Sequence, residues 1–133
     1  MPIHVAIAED NSFVLRALQE RLKNYPEIDI RLIARNGREL LEQLRKNHNI
    51  DLVLMDIEMP EMNGVDATAE VKRLYPQIKV LILTMFDDDE LLFKAVMAGA
   101  SGYLLKEDNA VHIHRCIYDT FAGGAAMSPA MAM

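Results

Sequence analysis

The sequence predicts an α/β fold, a doubly wound parallel sheet of five strands with five helices, and three observations carry that prediction. Apolar runs of strand length recur at 3–8, 28–34, 51–55, 79–84 and 101–105. Between them apolar residues return every three or four positions, the spacing of one helix face. Turn and stop signals fall at the joins, among them Asn36-Gly37, Asn63-Gly64, Pro76 and Gly99. Strict alternation of strand and helix calls for right-handed crossovers, which make the sheet parallel and cover both its faces.

The first run, Ile3-His4-Val5-Ala6-Ile7-Ala8, is too short for a helix and too apolar for a surface strand. Helix one follows, with Val14, Leu15, Leu18 and Leu22 in a stripe, Arg16, Gln19, Glu20 and Lys23 facing away, Ser12 as the expected N-cap and a stop near Tyr25-Pro26. After the second run, helix two is expected over about 38–47 behind Asn36-Gly37. Leu52-Val53-Leu54-Met55 is the third strand, and helix three follows Asn63-Gly64 over about 65–75. Helix four, about 88–98, opens within Asp87-Asp88-Asp89-Glu90, acids that suit the positive end of a helix dipole. Its Leu91, Leu92, Phe93, Val96 and Met97 exceed what one buried stripe needs. On helix five, about 109–122, Ile113, Ile117 and Phe121 form the expected core stripe, with Val111 and Tyr118 outside it. Residues 1–122 thus form one domain, and 123–133, small residues with a proline, read as a linker or tail.

With 133 residues, 51% of them hydrophobic, the chain can bury a core without staples. Its 14 Lys+Arg against 20 Asp+Glu give a net charge of −6, the wrong sign for a phosphate-backbone binder. Cys116 is the one cysteine, which excludes an internal disulfide or a Cys-based zinc site and suits a small core hydrophobe in a reducing cytosol. No signal peptide and no run of transmembrane length is visible, so a cytoplasmic protein without membrane contact is expected. His112 and His114, two apart on a helix, do not share a face and read as solvated. No glycine-rich phosphate loop is present, which leaves nucleotide binding without support.

In such a sheet the ends of strands one, three, four and five open onto one edge, where Glu9, Asp10, Asp56, Thr84 and Lys106 would meet. Taken singly, each acid is a helix cap, the threonine a strand residue and the lysine a solvated cation. Their joint placement at four strand ends makes a site. Two carboxylates and a backbone carbonyl suit Mg²⁺, a hydroxyl donates to an oxyanion, and an ammonium neutralises another oxygen. Such a pocket fits a phosphoryl group, and a carboxylate can attack phosphorus to give an acyl phosphate. Asp56 is the expected nucleophile.

Asp56-Ile57-Glu58-Met59-Pro60-Glu61-Met62-Asn63-Gly64, with Glu9-Asp10, Leu83-Thr84 and Gly102-Tyr103-Leu104-Leu105-Lys106, resembles the receiver domain of two-component response regulators over roughly residues 3–122. The resemblance implies a flavodoxin-like sheet of strand order 2-1-3-4-5. It implies that Asp56 is the phospho-acceptor for a sensor histidine kinase, and that Asp10, Asp56 and the Glu58 backbone carbonyl hold Mg²⁺ with Glu9 in support. It further implies that Lys106 contacts the phosphoryl group and that Thr84 and Tyr103 switch together. Thr84 is expected to be drawn inward, making room for the Tyr103 ring and promoting a homodimer through helices four and five. The implied role is signalling, with no enzymatic activity beyond the domain's own phosphorylation and dephosphorylation.

Leu83-Thr84-Met85-Phe86-Asp87-Asp88, the Gly-Tyr-Leu-Leu-Lys string and the tail Gly123-Gly124 with Met127-Ser128-Pro129 resemble receivers that precede a LuxR-type helix-turn-helix domain. Control of transcription is therefore implied, with DNA reached only through an output domain outside this chain; the alternative is a stand-alone receiver in a phosphorelay. Three departures stand out. Glu107 follows Lys106 where many receivers have a cis proline, Met85 stands where a small residue is commoner, and Phe86 and Glu58 flank the site, where they are expected to tune hydrolysis of the phosphate. Haloacid dehalogenase-type phosphatases also use a strand-end aspartate, but they carry Asp where this chain has Glu58, and Thr or Val where it has Pro60. A flavin binder would need stacking aromatics near the acids.

Overall fold

The computed structural model describes residues 2–85 and 88–123. In chain order the elements are β1 (Ile3–Ala8), α1 (Ser12–Leu22), β2 (Ile28–Ala34), α2 (Gly37–Lys46), β3 (Leu52–Asp56), α3 (Gly64–Leu74), β4 (Lys79–Thr84), α4 (Asp89–Met97), β5 (Gly102–Leu105) and α5 (Ala110–Phe121). The strands are parallel and lie in the order β2-β1-β3-β4-β5, the flavodoxin-like arrangement. Winding reverses between β1 and β3, where open α/β sheets place their ligands.

Alternation along each strand sorts the core into two layers. Ile3, Val5, Ile7, Leu52, Leu54, Leu81, Leu83 and Leu104 pack with Leu18 and Leu22 of α1 and with Ile113 and Ile117 of α5. Ala6, Ala8, Val53, Met55, Val80, Ile82 and Tyr103 pack on the other face with Leu40, Leu44, Val71 and Leu92. Every residue of the central β3 is buried, Asp56 included. The sheet thus carries a carboxylate to its dry carboxyl edge.

All five helices start on an Asx cap: Asn11, Asn36, Asn63, Asp88 and Asn109 each accept a backbone N–H of the first turn. For α1 this corrects Ser12, which is the first helical residue. Asn11, extended at φ −91° and ψ 117°, presents Oδ1 to the N–H groups of Phe13 and Val14.

Helix α5 also departs from expectation. Ile113 and Ile117 are buried, but Phe121 is 39% exposed, and Cys116 and Thr120 take the inward places instead. At 3.6 residues per turn a residue eight positions on lies about 80° round the axis, so the inward arc passes from Ile113 to Thr120 and misses Phe121. The histidines are not simply solvated. His114 stacks on Tyr25 with ring centroids 3.9 Å apart, and its Nε2 lies 3.0 Å from Glu27 Oε1. His112 Nε2 lies 3.6 Å from both Asp108 Oδ2 and Cys116 Sγ. Among the described residues no helix is long and apolar enough to cross a membrane. Phe86, with its expected part in hydrolysis, and residues 124–133 of the expected linker lie outside the described residues.

Candidate functional site

The residues singled out at the strand ends converge. Lys106 Nζ, one residue past β5, lies 2.9 Å from Glu9 Oε1 and 3.0 Å from Asp56 Oδ1. Asp10, exposed, joins Glu9 and Asp56 in a cluster whose carboxylate oxygens lie within 4.8 Å of one another. Above them opens a cleft of about 220 Å³ lined by Asp10, Asn11, Asp56, Ile57, Glu58, Thr84, Met85 and Lys106. Glu9 lies beneath, 1% exposed, its Oε2 accepting the N–H of Asn11. Tyr103 does not line the cleft. The residue is 4% exposed and belongs to the core cluster that holds Ile82, Leu92 and Ala95.

Local backbone geometry fixes the Asp56 carboxylate. The Ile57 N–H continues the ladder to the Leu83 carbonyl, then the chain turns and the Glu58 N–H donates to Asp56 Oδ1 at 3.2 Å. The Gly64 N–H returns to the Ile57 carbonyl at 2.9 Å, bringing the start of α3 against the end of β3. A Cβ on Gly64 would lie 2.2 Å from the Asp56 carbonyl oxygen. Only glycine allows that approach. Asn63-Gly64 signalled a turn in the sequence, but its bearing on the acid needed the fold. Asn11 was likewise missed, because the cap was sought one residue later.

Charge in this site is unbalanced. Burial first, and then the charge of Glu9, push the Asp56 carboxyl up to about 7 against the pull of Lys106. Burial draws Lys106 down, yet its hydrogen bonds to Glu9 and Asp56 and their charges outweigh it and hold the ammonium above its ordinary range. Asp56 Oδ2 is buried and receives no hydrogen bond among the described residues. One ammonium thus pairs with two of the three clustered carboxylates, and Asp56 keeps an oxygen with no hydrogen bond among the described residues. Hard oxygen donors with surplus negative charge fit a small divalent cation. The peptide bond between Lys106 and Glu107 is trans, as is every described peptide bond.

Among known proteins, the family model for the response regulator receiver domain matches residues 5–118. The transcriptional regulatory protein LnrK of Bacillus subtilis is 39% identical over 96% of this chain and 57% of its own length. DegU of Brevibacillus brevis is 35% identical over 96% and 53%, and the response regulator protein VraR of Staphylococcus aureus 34% over 97% and 61%. The chain therefore spans between half and two thirds of the curated relatives it matches. A LuxR-family two-component response regulator from Aurantimonas superposes with a TM-score of 0.91 at 26% identity, covering 99% of this chain and 94% of that one. A LuxR-family DNA-binding response regulator from Staphylococcus aureus gives 0.82 at 28%, covering 90% and 98%. On this match, which covers the sheet from Val5 of β1 onward together with its acidic edge, the chain belongs to the receiver domain family of two-component response regulators.

Proposed function

We propose that this receiver takes a phosphoryl group on Asp56 from a phosphohistidine of a sensor kinase. The observation that carries the reading is the state of the Asp56 carboxylate: Oδ1 is held by Lys106 and the Glu58 N–H, while Oδ2 is buried with no donor among the described residues, beside a cleft of about 220 Å³. Oδ2 attacks phosphorus as the P–N bond breaks, and the electron pair returns to the imidazole nitrogen. Dephosphorylation reverses the bookkeeping, as water attacks phosphorus and releases inorganic phosphate and the carboxylate. Lys106 balances charge on the transferring oxygens, and the Thr84 hydroxyl, at the cleft wall, donates to one of them. Asp10, Asp56 and the Glu58 carbonyl would hold Mg²⁺, supported by Glu9, and the ion would offset charge on the transferred group. The domain accepts and loses its own phosphoryl group and turns over no separate substrate.

Output follows from which surfaces stay apolar and wet. Phe93 and Met97 of α4 are 63% and 71% exposed, and Val111 of α5 is 59% exposed. Phosphorylation then favours the arrangement with Thr84 engaged at the site and the Tyr103 ring kept buried, a population shift felt at the face of α4, β5 and α5. That face pairs two phosphorylated copies and governs a DNA-binding output domain outside this chain, a reading supported by the transcriptional regulators among its relatives. Borohydride trapping after incubation with acetyl phosphate and Mg²⁺ tests the acceptor: reduction should convert residue 56 alone to homoserine. A label at Asp10 or Glu9 would contradict the assignment. A monomeric elution profile with a phosphoryl analogue bound, at high concentration, would contradict the dimer.

A further inference from the structure

Lys106 lies several strands away from its acidic partners in the sheet order. It follows the edge strand β5, whereas the acids sit at the ends of β1 and β3, and in the order β2-β1-β3-β4-β5 the strands β1 and β5 share no ladder. Its side chain must nonetheless reach Glu9 and Asp56 to within 3.0 Å. The backbone around it is pinned from three directions. The Lys106 N–H donates to the Thr84 carbonyl at 2.8 Å, and the Leu105 N–H donates to Asp108 Oδ2 at 2.9 Å. The third pin crosses the molecule: Arg21, in the last turn of α1, donates from Nη1 to the Lys106 carbonyl at 2.9 Å.

We propose that Arg21 is a positioning residue for Lys106, a clamp that sets the lysine against the acids. Helix α1 begins directly after Glu9 and Asp10, and its cap residue Asn11 also binds Glu9 Oε2. A bond from α1 to the Lys106 carbonyl therefore ties the acid half of the site to the lysine half through one rigid helix. The turn after Lys106 carries Glu107 and no ring restraint, so its carbonyl direction is set by what it bonds to. A guanidinium, always charged and fixed in its fork, is suited to hold a carbonyl in place.

The proposal rests on the Asp56 and Lys106 roles assigned above, and a double-mutant cycle separates the two. Rates of phosphorylation by acetyl phosphate are measured for the parent, Arg21→Met, Arg21→Lys, Lys106→Met and the Arg21→Met/Lys106→Met pair, with Mg²⁺ affinity measured in parallel. Arg21→Met should slow phosphorylation roughly ten-fold through misplacement of the ammonium, Arg21→Lys should recover part of it, and Mg²⁺ affinity should stay within about two-fold. In the Lys106→Met background Arg21→Met should add nothing. An equal slowing in both backgrounds, or a loss of Mg²⁺ affinity matching the loss of rate, overturns the clamp. If Lys106→Met itself leaves the rate at the parent value, the assigned role of the lysine fails, and the clamp with it.

Discussion

The ion pairs at the sheet edge and those on the helix surfaces have nearly the same lengths and opposite consequences. Lys106 lies 2.9 and 3.0 Å from Glu9 and Asp56, with side-chain exposures of 10%, 0% and 2%. Lys23 lies 2.8 Å from Glu20, and Arg73 2.6 Å from Glu70, but the cations there are 60% and 65% exposed. Coulomb energy scales inversely with the dielectric of the medium, so equal distances carry unequal energies. Water screens the surface pairs, and they contribute little. In the edge cluster each charge lacks water and depends on its partner. The sheet edge thus sets one ammonium, its side chain 10% exposed, beside two buried acids, and the three depend on one another.

The sharpest way to break this contrast is to remove the buried cation. Lys106→Met leaves two buried carboxylates without their ammonium and should destabilise the metal-free protein at pH 8 by about 3–5 kcal/mol, read from urea unfolding. A loss no greater than that of a surface variant would show that water reaches the cluster.

Next comes the acid itself. Asp56 is raised to about 7 in the folded chain from an ordinary value of 3.8, so the folded state binds the proton more tightly. Stability from this group is fully present below pH 3.8 and is lost as pH rises through about 7. Asp56→Asn removes the titration. The stability gap in favour of that variant should therefore widen from pH 4 to pH 8, reaching roughly 3 kcal/mol, and should shrink when Mg²⁺ is added. A gap independent of pH would mean that Asp56 is not held in a dry, like-charged setting.

A smaller effect tests the rigidity of the acid's support. Gly64→Ala places a methyl against the Asp56 carbonyl and should cost about 2 kcal/mol, with slower phosphorylation, if the turn cannot yield. The smallest belongs to the surface: Arg73→Met should leave the melting temperature within about 2 °C of the parent at 0.15 M salt. A larger drop there would erase the distinction between the two kinds of pair.

Strands and helices were legible because each apolar run and each 3.6-residue stripe is a local signal, and the joins were marked by Asx and glycine. Strand order came through likeness to a family; periodicity alone fixed alternation but not sequence of winding. The acids, Thr84 and Lys106 could be assembled at one edge because strand ends are countable. What escaped depends on distant partners. Arg21 and Lys106 are 85 residues apart, and His114 and Glu27 are 87 apart, so neither pairing leaves a mark on its own helix. Phe121 was misread because a four-residue step drifts round the helix faster than a stripe can follow.

The central claim, that Asp56 is the residue that takes the phosphoryl group, is tested most directly by intact mass. The parent, Asp56→Asn and Lys106→Met would each be incubated with acetyl phosphate and Mg²⁺. The account predicts one phosphoryl increment on the parent, none on Asp56→Asn, and slowed appearance on Lys106→Met. An increment of equal size and rate on Asp56→Asn would contradict it.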